Sequence, residues 1–196
     1  MLEERKEQGK LVVFSAPSGT GKSTIAKLVL DRFQNIRFSI SATTREKRAG
    51  EVEGINYYFI NKQEFKEKIN LGGFIEHEFL LGNYYGTLLD KTFDIINSGT
   101  HLLLDIDVKG ALNLKSLFPE NSLLLFFIPP SMAVLEKRLK SRESEDAGSL
   151  KSRLERAWLE MEYSDRFDKI IINDDLDRTI EDVSEIIDEF LSKRKI

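Results

Sequence analysis

The sequence predicts an α/β fold: a parallel sheet core flanked by helices and interrupted by an inserted β-rich lobe. Three observations carry this. A short apolar run, Leu11–Ser15, leads through a glycine turn into Ile25–Phe33, which has helical periodicity. Two longer apolar runs, 101–107 and 122–128, do not alternate, as expected of parallel strands covered on both faces. Between 38 and 90 short strand-like stretches dominate, so the βα pattern stops and later resumes.

Residues 1–10 mix charges without an apolar stretch, so they read as a solvated tail and not as a secretory signal. After the first strand, Ile25, Leu28, Val29 and Phe33 fall near one helix face. Residues 37–43 alternate and read as a strand, as do the aromatic and β-branched residues 55–60. Asn61 followed by Glu64 resembles a capping box that opens a helix to about Asn70. Residues 74–79 and 83–86 read as strand, turn, strand, and 88–98 as a helix stopped by Gly99. The strand 101–107 ends in Asp105 and Asp107, and the strand 122–128 is stopped by Pro129 and Pro130. Ser131 can cap the helix that follows. A polar break, 142–148, precedes an amphipathic helix marked by Leu150, Leu154, Ala157, Trp158 and Met161. A short buried strand at 169–173 and a helix over 178–193, with Ile180, Val183, Ile187, Phe190 and Leu191 inward, close the chain.

The stretch 16–24, APSGTGKST, carries the chemistry. It completes the phosphate-cradle pattern G-x-x-x-x-G-K-[ST], with Ala16 in place of the first glycine. Gly19 and Gly21 let the backbone curl until several N–H groups point at one anion, and the helix beginning near Lys22 adds its positive end. Lys22 can reach the β- and γ-phosphates, and the Ser23 hydroxyl can ligate Mg²⁺. The core is therefore expected to be P-loop NTPase-like and to bind a nucleoside triphosphate. Ligands in such sheets sit at the carboxyl ends of the strands, where Asp105 and Asp107 also lie.

Composition narrows the remaining classes. A hydrophobic content of 41% with 32% charged residues fits a folded soluble domain. The net charge of −4 argues against general nucleic-acid binding. With no cysteine and only His77 and His101, disulfides, thiolate sites and a histidine zinc site are excluded. No apolar run approaches the ~18 residues of a membrane span, so no membrane partner and a cytoplasmic location are expected.

The inserted lobe offers Arg45 and Arg48 in one turn, with Tyr57 and Tyr85 in neighbouring strands. Two guanidiniums and two phenols could grip one phosphate dianion. Here the chain resembles guanylate kinases. SAPSGTGKST (15–24), SISATTR (39–45), RAGEVEG (48–54), GNYYGT (82–87) and LDID (104–107) carry the likeness. It continues through FIPPS (127–131), KRL (137–139) and INDD (172–175), over essentially all of the chain after the first ten residues.

The resemblance implies phosphoryl transfer from ATP to GMP with Mg²⁺. It implies one domain over 10–193: a core of 11–37 and 91–196, a GMP-binding lobe at 38–90, and a small helical lid at about 140–153. By position in the family's motifs, residues 16–24 (Ala16, Pro17, Ser18, Gly19, Thr20, Gly21, Lys22, Ser23 and Thr24) would cradle the ATP phosphates, and Arg138 would lie against the adenine. Arg45, Arg48, Tyr57 and Tyr85 would hold the GMP phosphate. Ser41, Glu76 and Thr87 would read the guanine, with Asp107 nearby. Asp105 would join Ser23 at the Mg²⁺ shell, and Arg142 and Arg153 would fold over the transferring phosphate with Lys22 and Arg45.

Guanine presents an acceptor at O6 and donors at N1 and N2, so a carboxylate such as Glu76 with a hydroxyl such as Ser41 suits it, and adenine reverses the pattern. The chain departs from the family at two places. Glu46, Lys47 and Ala49 stand where prolines are common, and His77-Glu78 replaces an aromatic and a small residue. Two other readings stay open at this level: a non-catalytic guanylate-kinase-like binding module, and a kinase of another phosphorylated sugar or nucleotide.

Overall fold

In a computed structural model of the chain, residues 8–140 and 147–193 are described. The elements in chain order are β1 (Leu11–Ser15), α1 (Lys22–Arg32), β2 (Ile36–Phe38), β3 (Ala42–Thr43), β4 (Tyr58–Phe59), α2 (Lys62–Asn70), β5 (Phe74–Leu80), β6 (Asn83–Leu88) and α3 (Leu89–Asn97). There follow β7 (His101–Asp105), α4 (Val108–Leu117), β8 (Ser122–Ile128), α5 (Met132–Lys140), α6 (Ala147–Met161), a 3-10 turn (Ser164–Arg166), β9 (Lys169–Ile172) and α7 (Leu176–Ser192). They form two compact units. One is Asn35–Leu102 with the segment ending at Leu11; the other is Val12–Gln34 with the segment beginning at Leu103.

In the second unit β7, β1, β8 and β9 lie side by side in that order in a parallel sheet flanked by helices. All of β1 and all but the last residue of β8 are buried, which is why their sequences do not alternate. Phe14 of β1 meets Phe127 of β8 edge to face at 4.8 Å, fixing how the two strands' side chains interlock. Five expectations need correction here. The strand β9 is an edge strand in which only Ile171 is buried, so its three isoleucines reflect strand propensity more than burial. Asp107 does not end a strand; it caps α4, a helix the sequence reading does not anticipate, and accepts the Gly110 N–H at 2.7 Å. The stripe of α6 is narrower than its periodicity implies: Ala157 packs with Leu135 and Leu139, while Trp158 is 57% exposed. Leu28 of α1 is likewise exposed, and Ala26 is buried instead. Helix α6 already begins at Ala147, so the polar break is shorter than expected; residues 141–146 lie outside the described residues.

In the first unit a four-stranded sheet has the order β4-β3-β6-β5, with β3–β4 parallel and β3–β6 and β5–β6 antiparallel. The cap on α2 is as expected: Asn61 Oδ1 accepts the Glu64 N–H at 2.8 Å. Phe65 of α2 is buried and stacks on Phe74 (4.2 Å) and Tyr84 (5.2 Å), a burial that contributes about 2–3 kcal/mol. The expected strand 37–43 is two short pieces with 39–41 outside any strand. The strand expected over 55–60 shrinks to Tyr58–Phe59, because residues 52–56 fold into a turn in which the Ile55 and Asn56 N–H groups bond to the Val52 carbonyl (3.2 and 3.0 Å). Side chains brace that turn: Asn56 Oδ1 accepts the Val52 N–H (2.8 Å), and Glu53 accepts the Phe59 N–H (3.0 Å). Residues 8–10, expected as tail, are stitched down instead. Gln8 donates to Asn97, the Gly9 N–H to Ile96 O (2.7 Å) and the Lys10 N–H to His101 Nδ1 (2.9 Å).

Candidate active site

The chemistry-bearing residues gather in two places, one in each unit. In the second unit β1 delivers the chain into the turn 16–21. Gly19 (φ 92°) and Gly21 (φ 94°) adopt left-handed backbone that a side chain would strain. The Thr20 N–H and hydroxyl both bond to the Pro17 carbonyl (3.3 and 2.8 Å), which folds the turn back on itself. Gly21 heads α1 without a side-chain cap, so no side chain competes with an anion for the first N–H groups of the helix.

Around this turn stand the expected partners. Lys22 Nζ forms an ion pair with Asp105 and donates to the Ile106 carbonyl at 3.3 Å. Ser23 Oγ lies 3.5 Å from the other oxygen of Asp105. Arg153 of α6 donates to Ser18 Oγ at 2.6 Å. Arg138 of α5 donates to the Asn173 carbonyl at 3.1 Å. A cleft lined by Gly19, Gly21, Thr24, Arg138, Asn173 and Leu176 opens beside the turn. Arg142 lies outside the described residues.

In the first unit the hairpin β5–β6 sets Glu76 opposite Thr87. The Thr87 side chain, 2% exposed, donates to Glu76 Oε1 at 2.6 Å and so fixes the carboxylate. Ser41 precedes β3, and its carbonyl accepts the Tyr58 N–H at 2.9 Å. Arg45 sits 5.4 Å from the Tyr57 ring centre, and Tyr57 meets Tyr85 edge to face at 6.1 Å. Thus Arg45, Tyr57 and Tyr85 are brought together, as are Glu76 and Thr87. Arg48 joins through its backbone, its side chain being exposed.

The sequence reading misses Glu51. Its carboxylate grips Arg45 through both terminal nitrogens (2.6 and 3.0 Å) and accepts the Arg48 N–H at 2.8 Å. It ties the turn that lacks the family's prolines. An acid six residues after one arginine and three after another, in a basic turn, is the signal that could have found it. The hydrogen bonds from Arg45 and from the Arg48 backbone hold Glu51 down at about 2, and Glu51 in turn raises Arg45. A carboxylate lowered in this way contributes its full stability above the ordinary value of 4.5 and loses it as pH falls toward about 2. Melting curves of the wild type and Glu51→Gln should therefore stay evenly separated from pH 8 to about 5 and converge below that. A separation that persists to the lowest pH would mean that the pair contributes nothing.

Comparison with known proteins follows this geometry. The family model described as guanylate kinase matches residues 8–190. The chain is similar to the guanylate kinase of Chlorobium luteolum, 61% identical over 195 residues, covering 100% of this chain and 99% of that one. It is similar to that of Rickettsia felis at 43% over 182 residues, covering 93% and 94%. Among solved structures it resembles a guanylate kinase from Anaplasma phagocytophilum, with a TM-score of 0.71, 32% identity, and 96% and 89% of the two chains covered.

Proposed function

The chain belongs to the guanylate kinase family, and on that premise we propose how its residues carry out the family's reaction. The protein is an ATP:GMP phosphotransferase: the γ-phosphoryl group of ATP passes to GMP, giving ADP and GDP. One observation supports the acceptor side most directly. The buried Thr87 hydroxyl holds Glu76, and the same β6 strand carries Tyr85 toward Arg45.

In this reading Arg45, Arg48, Tyr57 and Tyr85 hold the phosphate of GMP. Glu51 takes one edge of the Arg45 guanidinium, and Arg45 also donates to the Glu46 carbonyl at 2.8 Å. Three of its five N–H bonds are thereby used, and a further side-chain hydrogen bond links Arg45 to Tyr85. Ser41 donates to guanine O6, and Glu76 accepts from N1 and N2, with its second acceptor role filled by Thr87. Asp107 keeps one oxygen on the cap of α4 and offers the other to the nucleotide.

The residues 16–24 cradle the ATP phosphates, and Arg138, with the cleft beside it, takes the adenine. An oxygen of the GMP phosphate attacks the γ-phosphorus; the new O–P bond forms as the bond to the β–γ bridging oxygen breaks, and ADP leaves with that electron pair. The nucleophile is already anionic, so no general base is needed. Lys22, Arg45 and Arg153, with Arg142, neutralise the charge that spreads over the moving group. The Ser23 hydroxyl and the Asp105 carboxylate, hard oxygens 3.5 Å apart, fit Mg²⁺ and would hold it. When bound, the ion supplies further positive charge to the phosphate oxygens. The lobe of 38–90 and the lid of about 140–153 are assigned to acceptor binding and to exclusion of water, in a protein placed in the cytoplasm.

A coupled assay of ADP release with GMP, AMP, CMP, UMP and ribose phosphates tests the function. Turnover is expected with GMP alone. Activity on none would point to a binding module, and activity on a non-guanine acceptor to a different kinase.

A further inference from the structure

A backbone turn whose N–H groups converge on an anion must send its carbonyls to the outer side, and a buried carbonyl there needs a donor. Thr20, in the middle of the cradle, is 1% exposed, so its carbonyl has little access to water. It accepts the Asn173 side-chain amide at 2.6 Å. Asn173 stands just beyond β9, far along the chain, and is itself 6% exposed. A carbonyl only accepts, so the amide nitrogen must face Thr20, and this fixes the orientation of the whole group. The amide oxygen then lies 3.2 Å from the Thr179 hydroxyl of α7, whose single proton it shares with the closer Asp175 carbonyl (2.6 Å).

The main chain of Asn173 is held as well. Its N–H bonds to the Ile128 carbonyl at the end of β8 (2.9 Å), and its carbonyl takes Arg138 (3.1 Å). The fit to the cradle is mutual. A Cβ on Gly21 would stand 2.7 Å from Asn173 Nδ2, so the second glycine of the motif is bare both for its backbone angle and because this amide fills the space.

We propose that Asn173 is a positioning residue for the phosphoryl donor: its buried amide holds the Thr20 carbonyl outward and so keeps the N–H groups of the cradle facing the ATP phosphates. The proposal rests on the reading of 16–24 as the ATP cradle. It assigns part of the phosphate grip to a side chain whose amide bonds to the backbone of the cradle and not to the phosphates. It also separates the two ends of ATP, because a side-chain substitution at 173 leaves the main-chain carbonyl that anchors Arg138 in place.

The test uses inorganic tripolyphosphate and adenosine as separate inhibitors competitive with ATP. Asn173→Asp puts a carboxylate oxygen against the Thr20 carbonyl; Asn173→Ala removes the donor and carries the same comparison should the first variant not fold. In the variant the inhibition constant of tripolyphosphate should rise roughly 10–100-fold and the KM for GMP stay within about threefold, while adenosine, whose cleft Asn173 also lines, weakens at least fivefold less than tripolyphosphate. Equal weakening of tripolyphosphate and adenosine, a matching loss at GMP, or no change would overturn the proposal, since a merely structural role moves all three together. If the wild type itself were not inhibited by tripolyphosphate, the reading of the cradle would fail instead, and the two failures are told apart.

Discussion

Lys22→Ala should lower kcat by roughly 10³-fold while the affinity for GMP changes by less than about threefold. Lys22 emerges at the first position of α1, from a turn that two left-handed glycines and the Thr20–Pro17 bonds hold rigid. Its ammonium rests on Asp105 and the Ile106 carbonyl, so it is already positioned at the strand ends before any phosphate arrives. Alanine removes the one flexible cation of the cradle, and backbone N–H groups cannot follow charge onto the leaving oxygen. The proposed acceptor residues Arg45, Tyr57, Glu76, Tyr85 and Thr87 belong to the other unit, which is why GMP binding should be spared. Steady-state kinetics with both substrates and calorimetric titration of GMP check this together. A turnover within about tenfold of the wild type would remove Lys22 from the catalytic set.

Glu76→Gln should lower kcat/KM for GMP by roughly 10²–10³-fold, with a melting temperature within a few degrees of the wild type. The carboxylate offers acceptors to both guanine donors; the amide offers one acceptor and turns an N–H₂ toward a donor, leaving buried groups opposed. The fold does not need the charge, because the Thr87 hydroxyl can donate to the amide oxygen as it does to the carboxylate. Kinetics alongside thermal melts separate the two effects. A collapse of the melting temperature would make Glu76 a structural residue.

Much of the core can be read from the chain because burial on both faces writes unbroken apolar runs, as in β7 and β8, and the cradle writes a local motif at a strand–helix junction. Arg45, Tyr57 and Tyr85 could be proposed as a phosphate grip because their chemistry is visible in the residue types, and the structure brings the three side chains together. Helix α4 was hidden because its cap, Asp107, follows directly on an apolar strand and its third residue is Gly110, so neither pattern breaks where the structure does. The short β4 was overread because Ile55 and Asn56 belong to a turn that folds back on the Val52 carbonyl, which strand propensity does not reveal. Glu51 and Asn173 were missed for a different reason. Each acts by what it faces, Arg45 across a turn or Thr20 from the far end of the chain, and such pairings are made by the fold.

Gly86, between Tyr85 and Thr87 on β6, leaves no room for a methyl group. A Cβ there would meet the Glu76 carbonyl at 2.7 Å, Phe74 Cδ1 at 2.9 Å and His77 Cβ at 3.0 Å. The hairpin is therefore clamped like two rules pinned at one graduation, and sliding β5 by one step would also turn its whole row of side chains over. On the proposed reading of guanine by Glu76 and Thr87, any evolutionary drift in which base is preferred then proceeds by exchanging atoms at these fixed stations. Libraries that randomise those stations should yield altered preferences, while insertions or deletions in the hairpin should yield only loss.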